Sequence, residues 1–243
     1  MPPRKKASKE KSAPSATVSL SEALKWLKKE GSAKQIAELA RYGITATKPY
    51  GVAMGAIKKY AKSIGTDHAL ALELWETERY EARLLAIHVA DPARLTTAVM
   101  NRWIKESDSW ALVDTACFQL FDRSKHAWGR VGPWSKARGE FQKRAAFALL
   151  WALALHDADA SDDDFIAHLP TIERASTDER NFVKKGVDMA FRAVGTRSAP
   201  CQRAARALAE ELIESDDPTA QWLGRSAKKA FAKPLRKKRS KKS

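Results

Sequence analysis

Helix-start signals follow one another along this chain so closely that little room is left for anything but helices. Ser19 with Glu22, Ser32 with Gln35, Asp67, Asp91-Pro92 and the Ser107-Asp108-Ser109 run each place a side-chain oxygen where it can accept from a free N–H of a first helical turn. Gly31, Gly43 and Gly65 follow as stops. No stretch alternates apolar and polar residues with period two, so no strand is expected. The spacing predicts helices over 23–29, 32–43, 50–64, 68–75, 79–89, 91–105, 110–121, 140–156, 162–174, 178–194, 200–214 and 217–231. The segment 122–138, with Gly129, Gly132 and Pro133, is expected to be irregular.

Helices of about 10–17 residues on short links fold back as antiparallel neighbours. Pairs recurring every ~35–40 residues point to an all-α, HEAT-like α-α superhelix rather than a four-helix bundle. A solenoid of this kind curves and offers one concave face.

Charge is segregated. Lys and Arg number 44 against 29 Asp and Glu, a net of +15. Residues 1–12 carry +4 and residues 225–243 carry +10, which leaves +1 for the body. The expected organisation is a basic tail over 1–16, a helical repeat domain over 17–232 and a second basic tail over 233–243. Chain ends of this composition cannot bury enough surface to order themselves. They either solubilise the protein or attach it electrostatically to nucleic acid, and both readings stand. A body so close to neutral has basic surface only as a local patch.

Several chemistries lose their usual support. The two cysteines, Cys117 and Cys201, sit in apolar helical patterns and read as reduced core residues, not as a disulfide or zinc framework. His68, His88, His126, His156 and His168 have no ligand spacing, so neither a metal nor a cofactor is expected. No Walker loop, Gly-x-Gly-x-x-Gly or Gly-x-Ser-x-Gly is present. The longest apolar run, 145–155, is about half of the ~20 residues that a membrane span needs. The N-terminus lacks an apolar stretch after its basic residues, and a cytoplasmic or nucleoid-associated location is expected.

Trp110 and Asp114 lie four apart in a predicted helix, so they share one face, about one turn apart. The bland reading is a core anchor beside a salt-bridged acid. The functional reading is a carboxylate and an indole facing a groove. Lys143 and Arg144 open an otherwise apolar helix, where a cation must pair, snorkel or line a cavity. An ion pair with the next repeat and contact with a phosphate are the two alternatives. Lys184, Lys185, Arg192 and Arg197 put four cations within fourteen positions. They form either a solvated face or a ridge that binds the DNA backbone.

In these stretches the chain resembles the DNA alkylation repair family of HEAT-like glycosylases, the AlkD-like proteins. The resemblance is carried by Tyr42-Gly43-Ile44, Tyr50-Gly51-Val52, Leu74-Trp75, Tyr80-Glu81-Ala82-Arg83-Leu84-Leu85-Ala86 and Asp91-Pro92. It continues through Ser109-Trp110, Val113-Asp114, Cys117, Lys143-Arg144-Ala145 and Arg180-Asn181-Phe182-Val183-Lys184-Lys185.

The resemblance implies excision of positively charged alkylpurines, such as N3-methyladenine and N7-methylguanine, from double-stranded DNA held on the concave, DNA-binding face; nothing in the sequence requires more than a monomer. Asp114 is then the catalytic carboxylate and Trp110 the ring beside the sugar. Arg144, with Lys143, Lys184, Lys185 and Arg192, is expected on the DNA backbone. One position departs from the family pattern: Met189 stands where a second Trp is usual, and a thioether has no π-face to offer. Asp188 beside it would repel a phosphate if it faced one. The alternative reading is a non-catalytic HEAT-like DNA-binding protein.

Overall fold

The structure is a computed structural model that describes residues 18–235. Fourteen α-helices and two 3-10 turns make up these residues, with no strand among them. In order they are α1 (Leu20–Glu30), α2 (Ala33–Arg41), α3 (Met54–Ile64), α4 (His68–Glu76), α5 (Tyr80–Val89), α6 (Thr97–Lys105) and α7 (Trp110–Gln119). There follow α8 (Trp128–Ser135), α9 (Glu140–His156), α10 (Asp162–Ile166), α11 (Leu169–Arg174), α12 (Asn181–Gly195), α13 (Ala199–Glu214) and α14 (Pro218–Phe231). Among the described residues no helix is long and apolar enough to cross a membrane. Of the two basic tails expected from sequence, 1–16 lies outside the described residues, as does the second from 236 onward.

The capping oxygens act as the sequence predicts. Ser19 and Glu22 form a reciprocal capping box. Ser32, Asp67 and Ser109 each accept from an N–H of the helix they precede. Four predicted spans are corrected. The helix expected from residue 50 begins only at Met54, because a buried acid, Glu81, takes up the N–H groups of residues 50–52. The span 91–105 breaks into a 3-10 turn, Pro92–Arg94, and α6, which Thr96 caps anew. The span 162–174 breaks into α10 and α11, with Pro170 in the first turn of the second. The supposedly irregular 122–138 contains α8, which carries Pro133 within it.

Helices α3, α5, α7, α9, α12 and α14 pack in that order as one row. A second layer lies against it: α4 on α5, α8 on α9, and α13 on α12 and α14. The offset between successive members is visible in single contacts. Arg144 of α9 reaches Phe182 at the start of α12, and Asp188 of α12 reaches Ser226 of α14, both across 38 positions. That is the pairing interval read from the sequence. At the middle of the row, α9 buries its residues on every side from Arg144 to Ala154 except Trp151.

The row is curved. Met54 and Lys58 of α3 line one cavity together with Asp114 and Phe118 of α7 and Trp151 of α9. Yet α5 stands between α3 and α7 in the packing order. Helices two apart in a row can face a common space only on its concave side.

Glu81 fixes the N-terminal end of this curve. Its carboxylate is fully buried and accepts from the N–H groups of Tyr50 (2.8 Å), Gly51 (2.7 Å) and Val52 (3.3 Å). Gly51 adopts φ +79°, and a Cβ there would lie 2.1 Å from the Ser32 carbonyl oxygen. Only glycine satisfies both the turn and the close approach. The result is a strap that joins α2 to α5.

Candidate functional site

Ser109 caps α7, so Trp110 is its first helical residue and Asp114 follows one turn later on the same face. Across from them Arg144 projects from the first half of α9. Gly186 of α12 packs against it: a Cβ at 186 would lie 3.4 Å from the Arg144 Cγ, in van der Waals contact.

The Arg144 guanidinium holds the Asp114 carboxylate by two parallel bonds. Nε donates to Oδ1 at 2.9 Å and Nη2 to Oδ2 at 2.6 Å. Nη1 donates to the Phe182 carbonyl at 2.7 Å, which ties the pair to α12. The Arg144 Cζ lies 6.0 Å from the Trp110 ring centroid. The indole N–H of Trp110 donates to the Tyr42 carbonyl at 3.0 Å. The loop that follows α2 therefore closes over the start of α7. Thr47 reinforces it, donating to Asp108 at 2.5 Å.

Burial is uneven within the pair. The Arg144 side chain is 5% exposed and that of Asp114 is 18% exposed. Asp114 also lines the cavity of about 260 Å³ that opens on the concave face. The carboxylate is gripped from behind and reachable from in front. Burial pushes the Asp114 carboxyl above its ordinary value, and the hydrogen bonds and charge of Arg144 oppose that rise. Two guanidinium donors, one on each oxygen, suit the ionised form, which only accepts. Cys117, one turn further on, is fully buried and gives its S–H to the Ala145 carbonyl. Burial raises its thiol well above the ordinary range, so it is inert packing.

The cations expected on DNA have unlike surroundings. Arg144, expected on the DNA backbone, is placed as a buried partner of Asp114, with 5% of its side chain exposed. Lys143 pairs with Asp178 at 2.8 Å, with only 18% of its side chain exposed. Arg192 pairs with Asp188 at 2.8 Å. Asp188 also accepts from Ser226 at 2.6 Å, so it faces α14 and not the groove. Lys185 is exposed, and Lys184 lies over the ring of Trp222. Arg197 caps carbonyls of Ala154, Asp157 and Ala160 and serves the fold.

Asp178 carries a pH prediction. Arg180, and behind it Lys143, hold its carboxyl down to about 2 against the opposing effect of burial. A folded value below the unfolded one gives stability that is complete above about pH 4 and is lost as pH falls through about 2. Asp178→Asn is expected to cost roughly 1–2 kcal/mol at neutral pH. The gap between its urea midpoint and that of the unmodified protein should narrow towards about pH 2.5; a constant gap would show that ionised Asp178 contributes nothing.

The sequence did not single out Glu81, although it lies within a quoted stretch. A carboxylate amid the apolar Tyr80–Val89 run is the signal that could have marked it. Met54, Lys58 and Trp151 gave no signal at all, because only curvature brings them to Asp114.

The family model for the DNA alkylation repair enzyme matches residues 23–212. The chain belongs to the DNA alkylation repair enzyme family. No curated protein matches it in sequence. One solved structure has the same fold, with a TM-score of 0.72 and 20% identity over 88% of this chain and 96% of its own. It is described as a new family of proteins related to the HEAT-like repeat DNA glycosylases with affinity for branched DNA structures. The HEAT-like superhelix read from helix spacing is thus the fold of this DNA alkylation repair family member.

Within that family frame, Met189 is half-buried on α12 and supplies no aromatic ring. Among the described residues no group of three or more His, Cys, Asp or Glu is placed to hold a metal ion.

Proposed function

We propose that this protein is a monofunctional DNA glycosylase that hydrolyses the bond between deoxyribose and a cationic alkylpurine, N3-methyladenine or N7-methylguanine, in duplex DNA. The observation that carries this reading is the meeting of Trp110 and Asp114 of one helix face with Arg144, with Asp114 still open to the cavity.

The chemistry fits a site with one acid and no metal. An alkylated purine already bears positive charge, so when the C1′–N bond breaks it departs neutral with the bonding electrons. Positive charge then develops on the deoxyribose as an oxocarbenium ion. The Asp114 carboxylate is an anion fixed in place before that charge appears, and it also accepts from the attacking water. Water adds to C1′ and releases its proton, leaving an abasic site. Trp110 presents a π-face to the cation and excludes bulk water. Arg144 is a positioning residue that holds the acid by both oxygens. Lys184 and Lys185 are the remaining candidates for phosphate contacts. The protein acts as a monomer in the cytoplasm on nucleoid DNA, without a cofactor.

A second reading is a DNA-binding protein without excision activity. It is favoured by Met189, which leaves the sugar without a second ring, and by Arg144, which partly neutralises the acid. A relative in fold is described by its affinity for branched DNA. The deciding measurement is release of methylated purine from methylated duplex DNA under single-turnover conditions. Time-dependent release is expected; tight binding without release would establish the second reading.

A further inference from the structure

At the C-terminal end of the row, a surface outside the Asp114 site combines exposed aromatic and cationic groups. Helix α14 faces the core through Ala220, Leu223, Gly224, Ala227 and Phe231. Gly224 brings it close to α13, where a Cβ would meet the Ala209 carbonyl oxygen at 2.6 Å. Trp222 stands off that buried face and is 39% exposed. Arg225, Ser226 and Lys229, three, four and seven positions on, share its side of the helix.

Lys184 of α12 completes the surface. Its ammonium lies 5.2 Å from the Trp222 ring centroid. This contact spans the same 38 positions as the bond between Asp188 and Ser226, so the two helices run side by side in register here. The one acid at this interface, Asp188, is buried and already bonded to Arg192 and Ser226. None of Lys184, Lys185, Arg225, Lys228 or Lys229 forms an ion pair among the described residues. From Pro218 to the last residue the sequence contains no acid. Elsewhere in the body, cations such as Lys143 and Arg144 are matched by carboxylates. The charge on this surface is therefore available to an outside anion.

We infer that the α12–α14 surface binds an unpaired stretch of DNA strand, with a base stacked on Trp222 and phosphates held by Lys184, Arg225 and Lys229. Cations alone would suit any polyanion. The exposed indole selects further, because a ring needs the free face of a base, and within a duplex those faces are covered by neighbouring bases. Lys184 over the same ring lies one step from a phosphate beside the stacked nucleotide. The inference is independent of base excision: it concerns binding, and a protein lacking glycosylase activity could still show it.

Fluorescence anisotropy with the full chain provides the test. The labelled probes are a thymidine oligomer, the same oligomer with abasic positions, and a blunt duplex of equal length. The thymidine oligomer is expected to bind roughly tenfold more tightly than its abasic counterpart. Trp222→Leu should abolish that preference and leave duplex affinity within about twofold, whereas Trp222→Phe should keep most of it. Lys184→Ala should reduce the salt dependence of single-strand binding by about one counterion. Equal affinity of the unmodified protein for the thymidine and abasic oligomers overturns the inference, and this arm needs no variant to fold. Parallel losses on single strand and duplex in Trp222→Leu overturn it as well.

Discussion

Asp114→Asn is expected to slow base release from methylated duplex DNA by roughly 10²–10³-fold, with affinity for the same duplex changed only a few-fold. The substitution keeps shape and removes charge. In the ground state the sugar is neutral and gains little from a nearby carboxylate. As the C1′–N bond opens, positive charge grows within reach of Asp114, and the attraction grows with it. An interaction realised only at that stage lowers kcat and leaves binding almost untouched. The partial exposure of the side chain supports this assignment, since an acid sealed completely behind Arg144 could not approach the sugar. Asparagine also turns a donor towards the guanidinium and weakens the pair, so the melting temperature must stay above the assay temperature. If that fails, Asp114→Glu keeps the charge and displaces it; a slowed but measurable rate is then expected. Equal rates for Asp114→Asn and the unmodified enzyme would remove Asp114 from the chemistry.

The legible parts of this molecule are those that local chemistry dictates. Ser19, Asp67 and Ser109 announced their helices because a cap is a contact within four residues. The interval between helix pairs announced a superhelix because each repeat must bury its apolar face on the next. Trp110 and Asp114 could be placed on one face from helical geometry alone. What the sequence could not supply were partners across the repeats. It left Arg144 with two readings, an ion pair or a phosphate contact, and the acid that it pairs with lay 30 positions away in Asp114. Lys143 likewise found Asp178, 35 positions on. Charge is visible in a sequence, but its compensation is a property of the packed row. The delayed start of α3 has the same origin. Residues 50–53 read as helix locally, and Glu81 of α5 overrides that preference with three backbone bonds.

Arg144→Met is expected to destabilise the fold by about 3–5 kcal/mol, read from urea denaturation at neutral pH. The loss arises less from the broken bonds than from what remains. Asp114 would lose both of its charge-assisted bonds, and a largely buried carboxylate stripped of its partner is costly to a fold. Methionine fills the volume beside Gly186, so cavity formation adds little. Removing the acid as well, in Asp114→Leu/Arg144→Met, should restore most of the stability, because two apolar groups of similar size need no compensation. The double-mutant cycle thus separates the coupling of the pair from the cost of a stranded charge. The single variant should also acquire a pH dependence of definite sign. Burial already raises the Asp114 carboxyl, and loss of Arg144 removes the opposing influence. The folded state would then hold a proton that the unfolded chain has released, so stability falls as pH rises through the folded value. The deficit of Arg144→Met should accordingly shrink when denaturation is repeated near pH 4. A deficit that is the same at both pH values, and that the second substitution does not relieve, would mean that Asp114 carries no charge for Arg144 to hold.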